Sequence, residues 1–131
     1  MVSHGGTGLY YTVTMNIVTK NLNRFKHAIA GIVYALRTDY SYRTQAWTIL
    51  VVITVAIVAL RPLSQAEVLF LGLAYTLILI TELQNSSFES ALDHLHPELH
   101  DKIGRSKDMA AGAVFSAGLF LVFVLVVIVV M

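Results

Sequence analysis

The chain has 131 residues, of which 56% are hydrophobic and only 13% charged, with no cysteine and a formal net charge of +1. A water-soluble domain of this size carries about 25% charged residues, so this composition leaves too little polar surface for a soluble fold. The absence of cysteine excludes thiol catalysis and cysteine-ligated metal sites, and the near-neutral charge argues against a nucleic-acid-binding protein. The composition therefore predicts one small integral membrane domain.

The first predicted element follows a stretch, residues 1–21, that shows no strong periodicity and is predicted to be an N-terminal tail. In residues 22–38, apolar side chains recur at steps of three and four, which predicts an amphipathic helix. Its apolar positions are Leu22, Phe25, Ile29, Ile32 and Leu36. The composition suits a helix on the cytoplasmic membrane surface, although a helix packed against a bundle fits the pattern equally well.

Three apolar runs come next, and because they are continuous rather than alternating they predict helices instead of β-barrel strands. We expect an all-α membrane protein with spans over about 45–62, 66–95 (including a cytoplasmic extension) and 107–131. Crossing a ~30 Å hydrocarbon core takes ~20 residues. The second run is long enough only if polar residues continue its helix. That continuation places Glu82 near or inside the membrane, where an ionisable residue indicates a functional site.

The basic residues are distributed unevenly between the connections. Five precede the first span, three lie just before the third, and only Arg61 lies between the first and second. The positive-inside rule then places the N-terminus and the connection before the third span in the cytoplasm.

The second run leads into a polar stretch with acidic and amide side chains on one side of the predicted helix. Glu82, Asn85, Glu89 and Asp93 are spaced three, four and four residues apart. At ~100° per residue this spacing confines them to a sector of roughly 80°. Like charges four residues apart repel each other, so this polar stripe requires a metal ion, a cationic partner or protonation.

Lys107 is expected within a turn of the start of the third span, close to helix N-terminal amides that favour anions. Its ammonium group is a point charge suited to phosphate. Together with the hard oxygen ligands of the stripe, it suggests Mg²⁺ and phosphate chemistry, with Glu82 as a general base. The same pattern also fits an ion path or a helix–helix contact in a non-enzymatic membrane protein.

The stripe and the start of the third span combine into three spaced motifs. These are Glu82-Leu-x-Asn85-Ser86-x-x-Glu89-x-x-x-Asp93, Glu98-x-His100 and Gly104-Arg105-Ser106-Lys107-Asp108-Met109. Their residues and spacing resemble the prokaryotic diacylglycerol kinase family, which includes the undecaprenol kinases. The resemblance extends from about Asn23 to the C-terminus.

This resemblance implies a homotrimer of three-span subunits, each with a surface helix, in the inner membrane of a bacterium. It implies that ATP and Mg²⁺ are used to phosphorylate a lipid hydroxyl at the cytoplasmic face. Diacylglycerol is the expected substrate, with phosphatidic acid as the product, and undecaprenol is the alternative. A non-catalytic membrane scaffold is the third interpretation.

The resemblance also implies roles for individual residues. Glu82 matches the catalytic base, Asn85 its polar neighbour, and Asp39 and Glu89 match ligands of both the metal and ATP. Further ATP contacts are implied at His27, Glu98, His100, Lys107 and Asp108. Contacts with the lipid substrate are implied at Lys20, Arg43 and Gln45.

Four of these positions differ in residue type from the family pattern. Asp39 is one methylene shorter than the family's glutamate, and Gln45 stands where many members have a glutamate. His27 replaces a tyrosine, and Lys20 replaces an arginine. These departures bear on substrate preference and rate rather than on the class of reaction.

Overall fold

The computed structural model describes residues 17–60, 62–95 and 100–130. They form four helices, which are α1 (Ile17–Thr38), α2 (Tyr40–Ala59), α3 (Gln65–Leu95) and α4 (Asp101–Val130). No strand occurs in these three segments. Helices α2, α3 and α4 are each long and apolar enough to cross a membrane, which confirms the predicted all-α fold with three candidate spans. The first sixteen residues of the predicted tail lie outside the described residues.

The chain divides into two compact units between Gly31 and Ile32, within α1. The described part of the first unit is helical from Ile17, so α1 begins five residues before the predicted start of the amphipathic helix. The second unit contains the last turns of α1 and all three candidate spans. In this unit Ile32 and Leu36, from the predicted apolar face of α1, are exposed. Exposure of these side chains is expected for a helix that lies on a membrane surface.

Asp39 alone separates α1 from α2. It is extended, with φ −93° and ψ 114°, and its carboxylate accepts a hydrogen bond from the amide of Tyr42 at 3.0 Å. This is the contact of a helix N-cap, and it lets α2 begin at Tyr40, five residues before the predicted span. Helix α2 then ends at Ala59, ahead of Pro62, which has no amide hydrogen to extend a helix.

Helix α3 begins with a reciprocal capping box. The Ser64 amide donates to Glu67 Oε2 at 2.7 Å, and the Glu67 amide donates to Ser64 Oγ at 3.3 Å. Each side chain thus satisfies an amide that the first helical turn leaves unpaired. The helix starts within one residue of the predicted position and continues unbroken through the polar stripe to Leu95.

His100 caps the start of α4. Its Nδ1 accepts a hydrogen bond from the Lys102 amide at 3.2 Å, and its carbonyl accepts from the amides of Ile103 and Gly104. The helix therefore starts at Asp101, six residues before the predicted third span. The apolar run that guided the prediction does not include this polar first part of the helix.

The hydrophobic core forms where α3 packs against both α2 and α4. The buried positions of α3 recur at steps of three and four, and they are Leu71, Ala74, Ile78 and Glu82. The core partners from the other two helices are Ile53, Ala117, Leu121, Val124 and Ile128. In an apolar 18-residue stretch of each span, only 22% of the residues are buried inside the chain, so most of the apolar helix surface is left for lipid or for further protein.

Two cross-helix contacts bring three helix ends together. Asp39, at the start of α2, lies beside Ser86 of α3, whose hydroxyl interacts with the Asp39 carboxylate. Asp93, near the end of α3, pairs with Lys107 of α4. We call this region the polar end: the junction of α1 and α2, α3 from Thr81 onward, and the first two turns of α4.

The length of α3 sets the depth of its polar residues. At 1.5 Å per residue, its 31 residues extend about 46 Å, whereas a crossing takes about 20 residues. A crossing that starts at Gln65 is complete close to Gln84. Glu82 therefore lies where α3 leaves the hydrocarbon, and Glu89 and Asp93 project beyond it.

Candidate functional site

Glu82 is the buried carboxylate of the polar end. It lies one turn after Ile78 on the buried face of α3, and only 2% of the residue is exposed. It is the only buried polar or charged residue in the described segments. Ser41, in the first turn of α2, donates a hydrogen bond from its hydroxyl to Glu82 Oε1. This bond offsets part of the cost of removing a carboxylate from water.

The four residues of the polar stripe share the unbroken helix α3, and their burial decreases along it. Asn85 is half-buried, whereas Glu89 and Asp93 are exposed. The Asn85 side-chain amide donates to Glu89 Oε1 at 3.2 Å. The Asn85 Oδ1 atom is buried and accepts no hydrogen bond from the described residues. An unpaired buried acceptor is costly, so this oxygen is well placed to accept a donor from water or a bound molecule.

Asp39 lies beside the stripe, because its carboxylate is next to the Ser86 hydroxyl of α3. Partial burial acts to raise the pKa of Asp39. Hydrogen bonds from the Ser86 hydroxyl and from two amides of α2, together with the charge of Arg43, outweigh that effect. They hold the pKa of Asp39 below its ordinary value of 3.8.

We expect Asp39→Ala to lower the free energy of unfolding by about 1 kcal/mol, because it removes the N-cap of α2. Since the folded pKa of Asp39 is lowered, its stabilising effect is complete above the ordinary value and is lost as the pH falls through the folded value. Thermal unfolding in detergent micelles, followed by circular dichroism at neutral and acidic pH, measures both effects. Equal stability of Asp39→Ala and the parent protein at neutral pH would contradict the capping role.

Lys107 supplies the cationic partner that the stripe requires. Its ammonium group pairs with Asp93 Oδ1, and the two side chains are 32% and 65% exposed. The prediction that Lys107 lies within a turn of the helix start is wrong, because α4 begins at Asp101. Lys107 lies nearly two turns inside the helix, so its contribution to a site is its own charge and not that of the helix N-terminus.

The remaining residues with predicted ATP contacts are only partly described. Asp108 is exposed and follows Lys107 on α4. His100 is exposed and caps that helix through Nδ1. His27 lies on α1 in the first unit, and Glu98 lies outside the described residues.

The residues with predicted lipid contacts lie on α1 and α2. The Arg43 guanidinium donates to the carbonyl of Arg37 at 3.3 Å and lies 6.0 Å from the centroid of the Tyr40 ring. It also acts electrostatically on Asp39, so Arg43 belongs to the polar end. Gln45 is half-buried two residues further along α2, and Lys20 lies on α1 in the first unit.

Sequence reasoning did not assign a role to two hydroxyls of this site. Ser41 reaches Glu82, and Ser86 reaches Asp39. Ser86 lies inside a quoted motif, whereas no pattern marks Ser41. Both contacts join α2 to α3, and they depend on how the two helices are placed against each other.

The oxygen ligands of the polar end suit Mg²⁺ bound together with phosphate. In segments 17–60, 62–95 and 100–130 no three His, Asp or Glu side chains form a metal cluster. Mg²⁺ usually takes one or two protein carboxylates and completes its shell with water and substrate phosphates. Asp39 and Glu89 fit this mode, because Glu89 follows about one turn after Ser86, whose hydroxyl lies beside the Asp39 carboxylate. Glu89 Oε1 accepts a hydrogen bond from the Asn85 amide, and further carboxylate lone pairs are left for a cation.

Comparison with known proteins identifies relatives over most of the chain. A profile of the prokaryotic diacylglycerol kinase family matches residues 26–129, a range that contains every candidate site residue except Lys20. A diacylglycerol kinase of Synechocystis sp. is 36% identical over 101 residues, which are 76% of this chain and 57% of that protein. A diacylglycerol kinase of Haemophilus influenzae is 25% identical over 100 residues, which are 76% of this chain and 83% of that protein. The chain thus spans little more than half the length of the Synechocystis relative.

Proposed function

The chain belongs to the prokaryotic diacylglycerol kinase family, a family of lipid kinases, and on this premise we propose that it transfers the γ-phosphoryl group of ATP to the hydroxyl of diacylglycerol. The product is phosphatidic acid. The observation that carries the proposal is Glu82, a buried carboxylate at the depth where α3 leaves the hydrocarbon. A base at this depth lies level with a lipid hydroxyl while the acyl chains stay in the bilayer.

The polar end faces the cytoplasm in this proposal. Its basic side chains come from three helices, and they are Arg37, Arg43, Lys102, Arg105 and Lys107. The positive-inside rule favours the cytoplasmic side for such a cluster, which is also the side that supplies ATP. We place the protein in the bacterial inner membrane, with its N-terminus in the cytoplasm.

Glu82 serves as the general base. Its carboxylate is the final acceptor when the lipid hydroxyl gives up its proton, as that oxygen bonds to the γ-phosphorus and ADP leaves in line. Phosphoryl transfer needs mainly positioning and electrostatic stabilisation, so a site built from helix faces suffices without a soluble nucleotide-binding fold.

Asp39 and Glu89 would hold Mg²⁺, which when bound would neutralise charge on the phosphate oxygens. Asn85 orients Glu89 through its side-chain amide. Lys107 acts on the phosphates from α4, and Asp93 keeps its ammonium group at the polar end. The side chains of the stripe therefore have separate tasks, with the base at the membrane and the nucleotide ligands toward the cytoplasm.

A homotrimer is part of the proposal. Because few residues of each span are buried within one chain, the helices have ample apolar surface for neighbouring subunits. Composite sites between subunits would add nucleotide contacts to those of the polar end. Cross-linking or native mass spectrometry in detergent tests the subunit number.

A kinase assay on the purified full chain tests the proposed function. The protein is incubated in mixed micelles with radiolabelled ATP and Mg²⁺, with either diacylglycerol or undecaprenol as acceptor. We expect label in phosphatidic acid. Faster labelling of undecaprenol would assign the other substrate of the family. Label in neither lipid would reject the kinase proposal in favour of a scaffold or an ion path.

We expect Glu89→Gln to raise the Mg²⁺ concentration needed for half-maximal activity by about tenfold, because the variant lacks the carboxylate charge that holds the cation. Gln retains a side-chain oxygen that accepts the hydrogen bond from Asn85, so the local structure is preserved. Initial rates across a Mg²⁺ titration at fixed ATP measure the shift. An unchanged titration curve would assign the metal to other ligands.

A further inference from the structure

The carboxylate of Glu82 is almost completely buried from solvent and lipid. Only 2% of the residue is exposed in a single chain, and additional subunits can only cover it further. A lipid hydroxyl outside the helices therefore has no open approach to the carboxylate. The proposed base needs a group that reaches it from the surface.

Ser41 is such a group. The residue is exposed, and its hydroxyl donates to Glu82 Oε1 from the first turn of α2. A serine hydroxyl has one hydrogen to donate and two lone pairs. With its hydrogen directed to Glu82, the lone pairs of Ser41 Oγ remain available to accept a hydrogen bond from a second hydroxyl.

The Ser41 contact differs from the local bonds that most other hydroxyls on the candidate spans make. Five of these hydroxyls donate to the carbonyl four residues earlier in their own helix, a local bond that involves no other element. They belong to Thr54, Thr76, Thr81, Ser106 and Ser116. Ser41 instead bonds across two helices to a buried acid.

We propose that Ser41 is a catalytic residue that relays the proton of the lipid hydroxyl to Glu82, an inference that rests on the kinase function proposed above. The lipid oxygen bonds to the γ-phosphorus, and the bond from that phosphorus to the oxygen bridging it to ADP breaks. The lipid O–H proton passes to Ser41 Oγ while the original Ser41 proton passes to Glu82 Oε1. Glu82 later releases its proton by the reverse path, so lipid and ATP give lipid phosphate, ADP and a proton.

A pair of variants with the same shape separates the hydroxyl from its packing. Thr and Val at position 41 are both β-branched, and only Thr keeps a hydroxyl. We expect Ser41→Val to lower kcat about 10²-fold, as loss of a proton-transfer path does, with KM for ATP and lipid within about twofold. Ser41→Thr should keep at least a third of the parent kcat. Ser116→Ala, which removes a hydroxyl bonded within α4, is the matched control and should be fully active.

A second acceptor distinguishes proton relay from a structural effect. Fluorine on the carbon next to the hydroxyl makes a diacylglycerol analogue more acidic, so its proton leaves with less help from a base. We expect the loss caused by Ser41→Val to be at least tenfold smaller with this analogue. An equal loss with both acceptors, or equal activity of the Thr and Val variants, would overturn the relay. Failure of the parent protein to phosphorylate any lipid would instead reject the proposed function itself.

Discussion

Glu82→Gln is expected to lower kcat by about 10²- to 10⁴-fold, the range associated with loss of a general base. Gln has nearly the same shape as Glu, and its side-chain oxygen still accepts the hydrogen bond from Ser41. It cannot take up a proton at the pH of the assay. The variant therefore removes the chemistry while it keeps the contact between α2 and α3.

The melting temperature of the folded protein is the control for Glu82→Gln. Replacing a buried carboxylate by a neutral amide removes a desolvation cost, so we expect a melting temperature equal to or above that of the parent protein. Glu82→Ala, by contrast, leaves the Ser41 hydroxyl without its acceptor and creates a cavity, so this variant should be less stable. Circular dichroism melts in micelles and initial rates measure both properties. A kcat above one tenth of the parent value with Glu82→Gln would assign the base elsewhere.

The spans and the polar stripe were predictable because each depends on spacing within one helix. Hydrophobic runs identify α2, α3 and α4, and helical periodicity places Glu82 and Asn85 on one side of α3. The depth of Glu82 also follows from sequence, since the apolar part of α3 is too short to cross a membrane without its polar continuation.

The first residues of the helices were harder to predict from the sequence. Asp39 and His100 each cap a helix that begins five or six residues before the predicted span, because capping groups can support a polar first turn. Ser64 and Glu67, in contrast, cap α3 close to its apolar run, and that start was predicted to within one residue. A hydrophobic pattern predicts a helix only from the residue where the apolar part of that helix begins.

Contacts between helices could not be derived from the sequence at all. Ser41 meets Glu82, and Asp93 meets Lys107, over separations of 41 and 14 residues. These pairs depend on the rotation and offset of the packed helices, which the repeat within each helix does not fix. The residue classes of the site were thus predicted, whereas the pairing that gives Glu82 a route to the surface was not.

Lys107→Met is expected to lower kcat by about 10²- to 10³-fold, the cost of removing one preorganised group that stabilises transition-state charge. Methionine keeps the unbranched apolar stem of the side chain but loses the ammonium group. The partner Asp93 is 65% exposed and remains solvated, so loss of the pair should change the free energy of unfolding by less than about 1 kcal/mol.

Kinetic analysis decides whether Lys107 acts on the phosphates or on the lipid. We expect kcat to fall while KM for diacylglycerol changes by less than about threefold, because the ammonium group lies at the polar end, beyond the hydrocarbon. Lys102→Met, an exposed lysine in the first turn of α4, is the matched control and should retain nearly full activity. If Lys107→Met instead raised KM for the lipid and left kcat unchanged, Lys107 would be a ligand of the lipid. Loss of a charge that acts on the transferred phosphoryl group must destabilise the transition state more than it weakens the complex with the lipid.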